Sequence, residues 1–183
     1  MDNQLIKQTA LETIQLEKTA IEQLSNFIDD GFASTIECLH QCTGRVIVSG
    51  IGKSAIIAQK LVATFNSTGT PAVFMHAADA IHGDLGMMQQ ADIAIVISKS
   101  GESTEIKVLI PLIKNFGNTL IAICGNKKSF LATQSDFFVD TTVAIEACPN
   151  NLAPTTSTTA QLVMGDAIAV CLLKMKGFSA SDF

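Results

Sequence analysis

Five short apolar runs mark the chain, at Arg45 to Gly50, Ala72 to His76, Asp92 to Ser98, Thr119 to Gly125 and Asp136 to Thr141. Three of them, VIVSG, IAIVIS and LIAICG, are nearly continuous in Val, Ile and Ala instead of alternating. That is the pattern of strands covered by helices on both faces. Between the runs, Ser54 to Ser67, Ser103 to Phe116 and a short segment near Phe130 carry helical spacing. The strand-helix alternation predicts an α/β fold, a three-layer sandwich with a five-stranded parallel sheet flanked by helices. Ahead of the sheet, Leu5 to Phe32 sets Leu5, Leu11, Ile14, Leu16, Ile21, Leu24 and Ile28 on a mainly polar background, as an amphipathic helix does. A second short helix is predicted over Ser34 to Cys42. After the last strand, Pro154 opens a helix from Thr155 to about Lys176, which Gly177 ends. No repeat or linker interrupts the pattern, so 1–183 reads as one domain, with N-terminal helices over 4–42 and an α/β core over 45–177.

Composition narrows the class. Apolar residues make up 48% and charged residues 16%, which excludes a disordered chain. No apolar run approaches the roughly 18 residues of a membrane span. The polar start lacks the basic and apolar stretches of a signal peptide, and five Cys, an odd count, fit a reducing compartment. A cytoplasmic protein without a membrane partner is expected. Twelve basic against seventeen acidic residues give a net charge of -5, opposite to the footprint of a nucleic-acid binder. With no Trp or Tyr, stacking on bases would rest on Phe alone. An anionic ligand therefore needs a local device.

In parallel α/β sheets that device sits in the loops leaving the carboxyl ends of the strands. Gly50-Ile51-Gly52-Lys53-Ser54 could turn tightly and offer helix N-H groups to an anion. It has one residue where a Walker A loop has four, and the next strand ends in Met75-His76 where a dinucleotide site wants an acid. Ser98-Lys99-Ser100-Gly101-Glu102-Ser103-Thr104-Glu105 is either an ordinary helix cap or a phosphate cradle of hydroxyls and helix N-H groups. Pro154-Thr155-Thr156-Ser157-Thr158-Thr159 either crowds a helix start or contacts a polyhydroxylated ligand. Glu146, in the turn after the fifth strand, is a surface carboxylate or a site residue. His82, beside Gly83, is a structural or a functional imidazole. Cys38 and Cys42, one helical turn apart, read as core packing rather than a metal pair.

The loops together resemble the sugar isomerase, or SIS, family of phosphosugar-binding domains, and within it the D-arabinose 5-phosphate isomerases. The resemblance is carried by GIGKSA, FNSTGTP, HGDLGM, SKSGESTEI, EACPNNLAPTTSTTAQLVMGDAIAV and LKMKGFSASDF, in that order from about Val46 to Phe183. It implies a homotetramer with active sites at subunit contacts. It implies interconversion of D-ribulose 5-phosphate and D-arabinose 5-phosphate through an enediol, early in the synthesis of Kdo, the sugar acid of lipopolysaccharide. By motif position, Ser98, Ser100 and Ser103 correspond to the phosphate cradle, and Lys53, His82, Glu105 and Glu146 to residues around the sugar, with Glu105 expected to orient Lys53 or a hydroxyl. The chemistry requires neither a metal nor another cofactor, since proton transfers and oxyanion stabilisation suffice. Family members run on past the position of Phe183 into a His-Pro-Gly-Gly segment, and many add paired CBS domains. The 183 residues stop before both, so a sugar-binding portion of a longer chain is expected. A phosphosugar sensor without catalysis would use the same serine turn, but the retained His82, Glu105 and Glu146 favour the enzyme.

Overall fold

The computed structural model of the protein describes residues 2–179. The last four residues of LKMKGFSASDF and of the predicted domain lie outside the described residues. Five strands, β1 (Val46–Gly50), β2 (Ala72–His76), β3 (Ile93–Ser98), β4 (Thr119–Cys124) and β5 (Phe137–Asp140), form one sheet in the order β2-β1-β3-β4-β5. Every pairing is parallel, with Val46 beside both Ala72 and Ile93. All strand carboxyl ends therefore point to one edge, and the order reverses between β1 and β3, where open α/β sheets bind ligands.

The continuous apolar runs follow from two cores. Val46, Val48, Ile95, Ile97, Ile121 and Ile123 face a cluster completed by helices α1 (Asn3–Leu24), α2 (Asp30–His40), α3 (Lys53–Ser67) and α7 (Thr156–Lys176). Their neighbours Ile47, Ala94, Val96, Leu120 and Ala122 face the other cluster, built with α4 (Ala77–Ala80), α5 (Thr104–Phe116) and α6 (Phe130–Gln134). Side chains alternate between faces along each strand, so burial on both keeps the strands apolar until their carboxyl ends, where Ser49 and Ser98 lie. By length and composition α7 could cross a bilayer, contrary to the reading of the apolar runs. Half of its most apolar window is buried, and α7 packs on α1, α2 and α3. Cys38 and Cys42 pack half-buried against the same core.

The N-terminal prediction needs correction. One helix over Leu5 to Phe32 is in fact interrupted: α1 ends at Leu24, a 3-10 turn spans Ser25–Phe27, and Asp29 starts α2 by accepting the Phe32 N-H at 2.9 Å. A carboxylate cap outcompetes the continuation of apolar spacing. Ser34, the predicted start of the second helix, lies inside α2 with its hydroxyl bonded back to the Asp30 carbonyl at 2.9 Å.

Candidate active site

Each predicted site residue leaves the carboxyl edge of the sheet. Lys53 opens α3 after β1, and His82 follows β2 and α4. Ser98 ends β3, Ser100, Ser103 and Glu105 lie in the turn into α5 and its first residues, and Glu146 follows β5. The parallel topology brings the loops to a common edge but does not bond all these side chains to one another. Lys53 and His82 are exposed, Glu105 is half-buried, and none has a side-chain bond among the described residues. Among the described residues Glu105 has no hydrogen bond to Lys53 or to a hydroxyl.

The β3 to α5 turn is built around Gly101, at φ +67°. A Cβ there would lie 2.2 Å from Ser129 Oγ, so only glycine fits. The Gly101 N-H donates to Ser98 Oγ at 3.0 Å, and the Glu102 N-H to Ser100 Oγ at 3.2 Å. Each serine thereby spends an acceptor lone pair and keeps its O-H proton available for a ligand oxygen. Ser103, the N-cap of α5, makes no side-chain cap bond, and its buried Oγ has no partner. A plain helix cap would use that hydroxyl. A phosphate would satisfy it together with the α5 N-terminal N-H groups.

Glu146 is neither surface carboxylate nor open base. It is 1% exposed and seats on the first turn of α7. Oε2 accepts the N-H groups of Thr155 at 2.9 Å and Ser157 at 3.1 Å, and Oε1 accepts the Ser157 hydroxyl at 2.5 Å. Lys99 Nζ closes the shell at 2.7 Å from Oε1. Burial pushes the carboxyl pKa upward, but the Lys99 and Ser157 hydrogen bonds and the two backbone N-H groups outweigh it and hold the value at about 2. The hydroxyl run also receives its account. Thr155 and Thr156 accept the Ala147 N-H at 3.0 and 2.9 Å, Thr158 bonds back to Thr155, and Thr159 bonds Glu17 at 3.2 Å. These hydroxyls clamp the Glu146 turn and α1.

Lys99 is the residue that sequence reasoning passed over. It lines a pocket of about 220 Å³ with Ser100, Gly125, Asn126, Thr141 and Val143. Orphaned buried polar atoms gather at the same edge of the sheet. Ser49 Oγ, Ser103 Oγ, Thr141 Oγ1 and Gln161 Nε2 lack hydrogen-bond partners, His76 Nδ1 has only Asp79 Oδ2 at 3.8 Å, and Gln161 is tied through its Oε1 to Ser54 at 3.2 Å. Such groups are costly unless something fills the space beside them. No cluster of three or more His, Cys, Asp or Glu among the described residues could hold a metal.

This arrangement has relatives. Residues 39–171 match the SIS domain model. The chain belongs to the SIS domain family. SIS proteins named arabinose 5-phosphate isomerase KdsD, from Escherichia coli K12 and Pseudomonas aeruginosa, are 48% identical to it over 97% and 96% of this chain. The chain spans about half the length of these curated relatives, 54% of each. Among solved structures, the Escherichia coli CFT073 protein c3406, in complex with arabinose 5-phosphate, is 42% identical with a TM-score of 0.96, over 100% of this chain and 97% of that one. The Vibrio vulnificus NanR protein, complexed with ManNAc-6P, is alike in fold alone, at 16% identity and a TM-score of 0.77.

Proposed function

We propose that this SIS domain is an aldose-ketose isomerase interconverting D-ribulose 5-phosphate and D-arabinose 5-phosphate, in a cytoplasmic pathway toward Kdo and lipopolysaccharide. The observation that carries the reading is the β3 to α5 turn, where Ser98 and Ser100 keep free O-H protons and Ser103 Oγ is buried without a partner. A relative 42% identical over its length binds arabinose 5-phosphate. In this reading Ser98, Ser100 and Ser103 hold the phosphate, and Lys53, His82, Glu105 and Glu146 surround the sugar. Moving the carbonyl between C2 and C1 removes one carbon-bound proton, carries a proton between two oxygens of the enediol and returns one to carbon. Glu146, held anionic and fully bonded, is a poor proton acceptor and serves to orient. His82 and Glu105 are free to move protons, and the exposed Lys53 ammonium is available to the enediolate or the phosphate.

The same reading includes self-association, with a homotetramer as its expected form. Leu5, Leu11 and Ile14 of α1 and the following Ile28 are 51 to 68% exposed, an apolar stripe that water does not favour. The deciding experiment follows D-ribulose 5-phosphate by NMR in heavy water. Appearance of D-arabinose 5-phosphate with deuterium at C2 is expected. Binding of the sugar phosphate without exchange or turnover would leave a sensor and end the enzymatic reading.

A further inference from the structure

Lys99 has a fixed base and a committed tip. Its carbonyl accepts the Gly125 N-H at 3.1 Å and lies 3.7 Å from the Cys124 thiol, which pins its backbone to the end of β4. Its ammonium reaches 2.7 Å from Glu146 Oε1, while its side chain stays 43% exposed beside the pocket. The other groups on the carboxylate, Thr155 at the N-cap of α7 and Ser157 within it, are neutral, and Asn151 accepts the Glu146 backbone N-H and does not touch its carboxylate. Among the described residues, Lys99 is thus the charged group bonded to a carboxylate that burial alone would neutralise.

We propose that Lys99 is a positioning residue of the sugar site: it keeps Glu146 anionic and seated on α7, and so fixes the spacing between the phosphate turn and the α7 turn. The catalytic part of this inference rests on the isomerase reading. The electrostatic part does not. A lysine suits the task because its single charge aims at one oxygen, leaving Oε2 to the α7 N-H groups.

The test measures kcat, KM and the pH profile for D-ribulose 5-phosphate in K99Q and K99R, with a carbon-13 titration of the Glu146 carboxyl in each folded protein. Lys99→Gln is expected to lower kcat by about tenfold or more, with KM changed less than about threefold. The acid limb of kcat and the Glu146 titration should both move to higher pH, and Lys99→Arg should restore most of the loss. A rise in KM with kcat intact would make Lys99 a phosphate ligand and overturn the proposal. So would a Glu146 titration unmoved by Lys99→Gln. If the unsubstituted chain shows no turnover, the isomerase reading fails, while the titration still judges Lys99. Should K99Q not fold, the pair K99Q and E146Q together leaves no unpaired buried charge. Its kcat should equal that of E146Q alone, and a further tenfold loss would mean that Lys99 acts directly on the ligand.

Discussion

Each end of the sheet buries one carboxylate beside one cation, and the two ends use the pair differently. At the amino end, Asp92 accepts from the Arg45 guanidinium at 2.8 and 3.4 Å, from the Arg45 N-H at 2.8 Å and from the Gln89 N-H at 2.9 Å. The same guanidinium reaches the Met87 carbonyl, and Asn118 bonds the carbonyls of Gln89 and Asp92. This knot ties the entrances of β1 and β3 with a planar, multiply bonded cation. At the carboxyl end the cation is Lys99, a single rotatable charge next to a pocket, among hydroxyls left without partners. Among the described residues, Asn118 Oδ1 is an unpaired buried atom of the amino end, whereas Ser49 Oγ, Ser103 Oγ, Thr141 Oγ1 and Gln161 Nε2 lie toward the carboxyl end. Polar groups satisfied internally hold a fold, and buried polar groups left without a protein partner mark places that water, an ion or a ligand can fill.

Matched substitutions break the comparison most sharply. Glu146→Gln should lower kcat about 10²-fold, since the amide offers one acceptor, leaves Lys99 unpaired and misplaces the turn that Glu146 orients. Asp92→Asn should leave kcat and KM within about threefold in the same NMR assay. Instead it should cost about 2 kcal/mol, lowering Tm by roughly 4 to 8 °C in calorimetry. Equal catalytic losses at both ends would erase the distinction.

A finer test uses Ser103, whose hydroxyl bonds nothing in the free protein. Ser103→Ala should leave the unfolding midpoint unchanged yet weaken D-arabinose 5-phosphate binding by about 1 to 3 kcal/mol in titration calorimetry. Unchanged affinity would remove the phosphate from this turn.

The smallest contrast is in acid. Arg45, acting against burial, lowers the Asp92 pKa, and Glu146 is held at about 2. Both groups bind protons more readily unfolded than folded, so the stability they contribute is fully present above their ordinary carboxylate range. It is lost as pH falls through the folded values. Unfolding free energy should be level above about pH 5 and decline toward pH 2. Asp92→Asn should flatten part of that decline, and a decline centred near neutrality would contradict both assignments.

The sheet, its neighbouring helices and the edge bearing the site were legible in the sequence. Apolar continuity reports burial on both faces, and strand-helix alternation with a serine-rich turn reports what sits at the carboxyl ends. These signals are local, so order along the chain sufficed. The break near Ile28 was not legible, because Asp29 and the apolar spacing gave competing local signals and packing of α2 against the core favoured the cap. Nor was the fate of the hydroxyl run from Thr155 to Thr159, whose partners lie in the Glu146 turn and in α1. The burial of Glu146 and the part played by Lys99 were hidden for the same reason. Residue type alone carries no desolvation, and an ion pair to a buried carboxylate exists only once the parallel sheet has brought two distant loops to one edge.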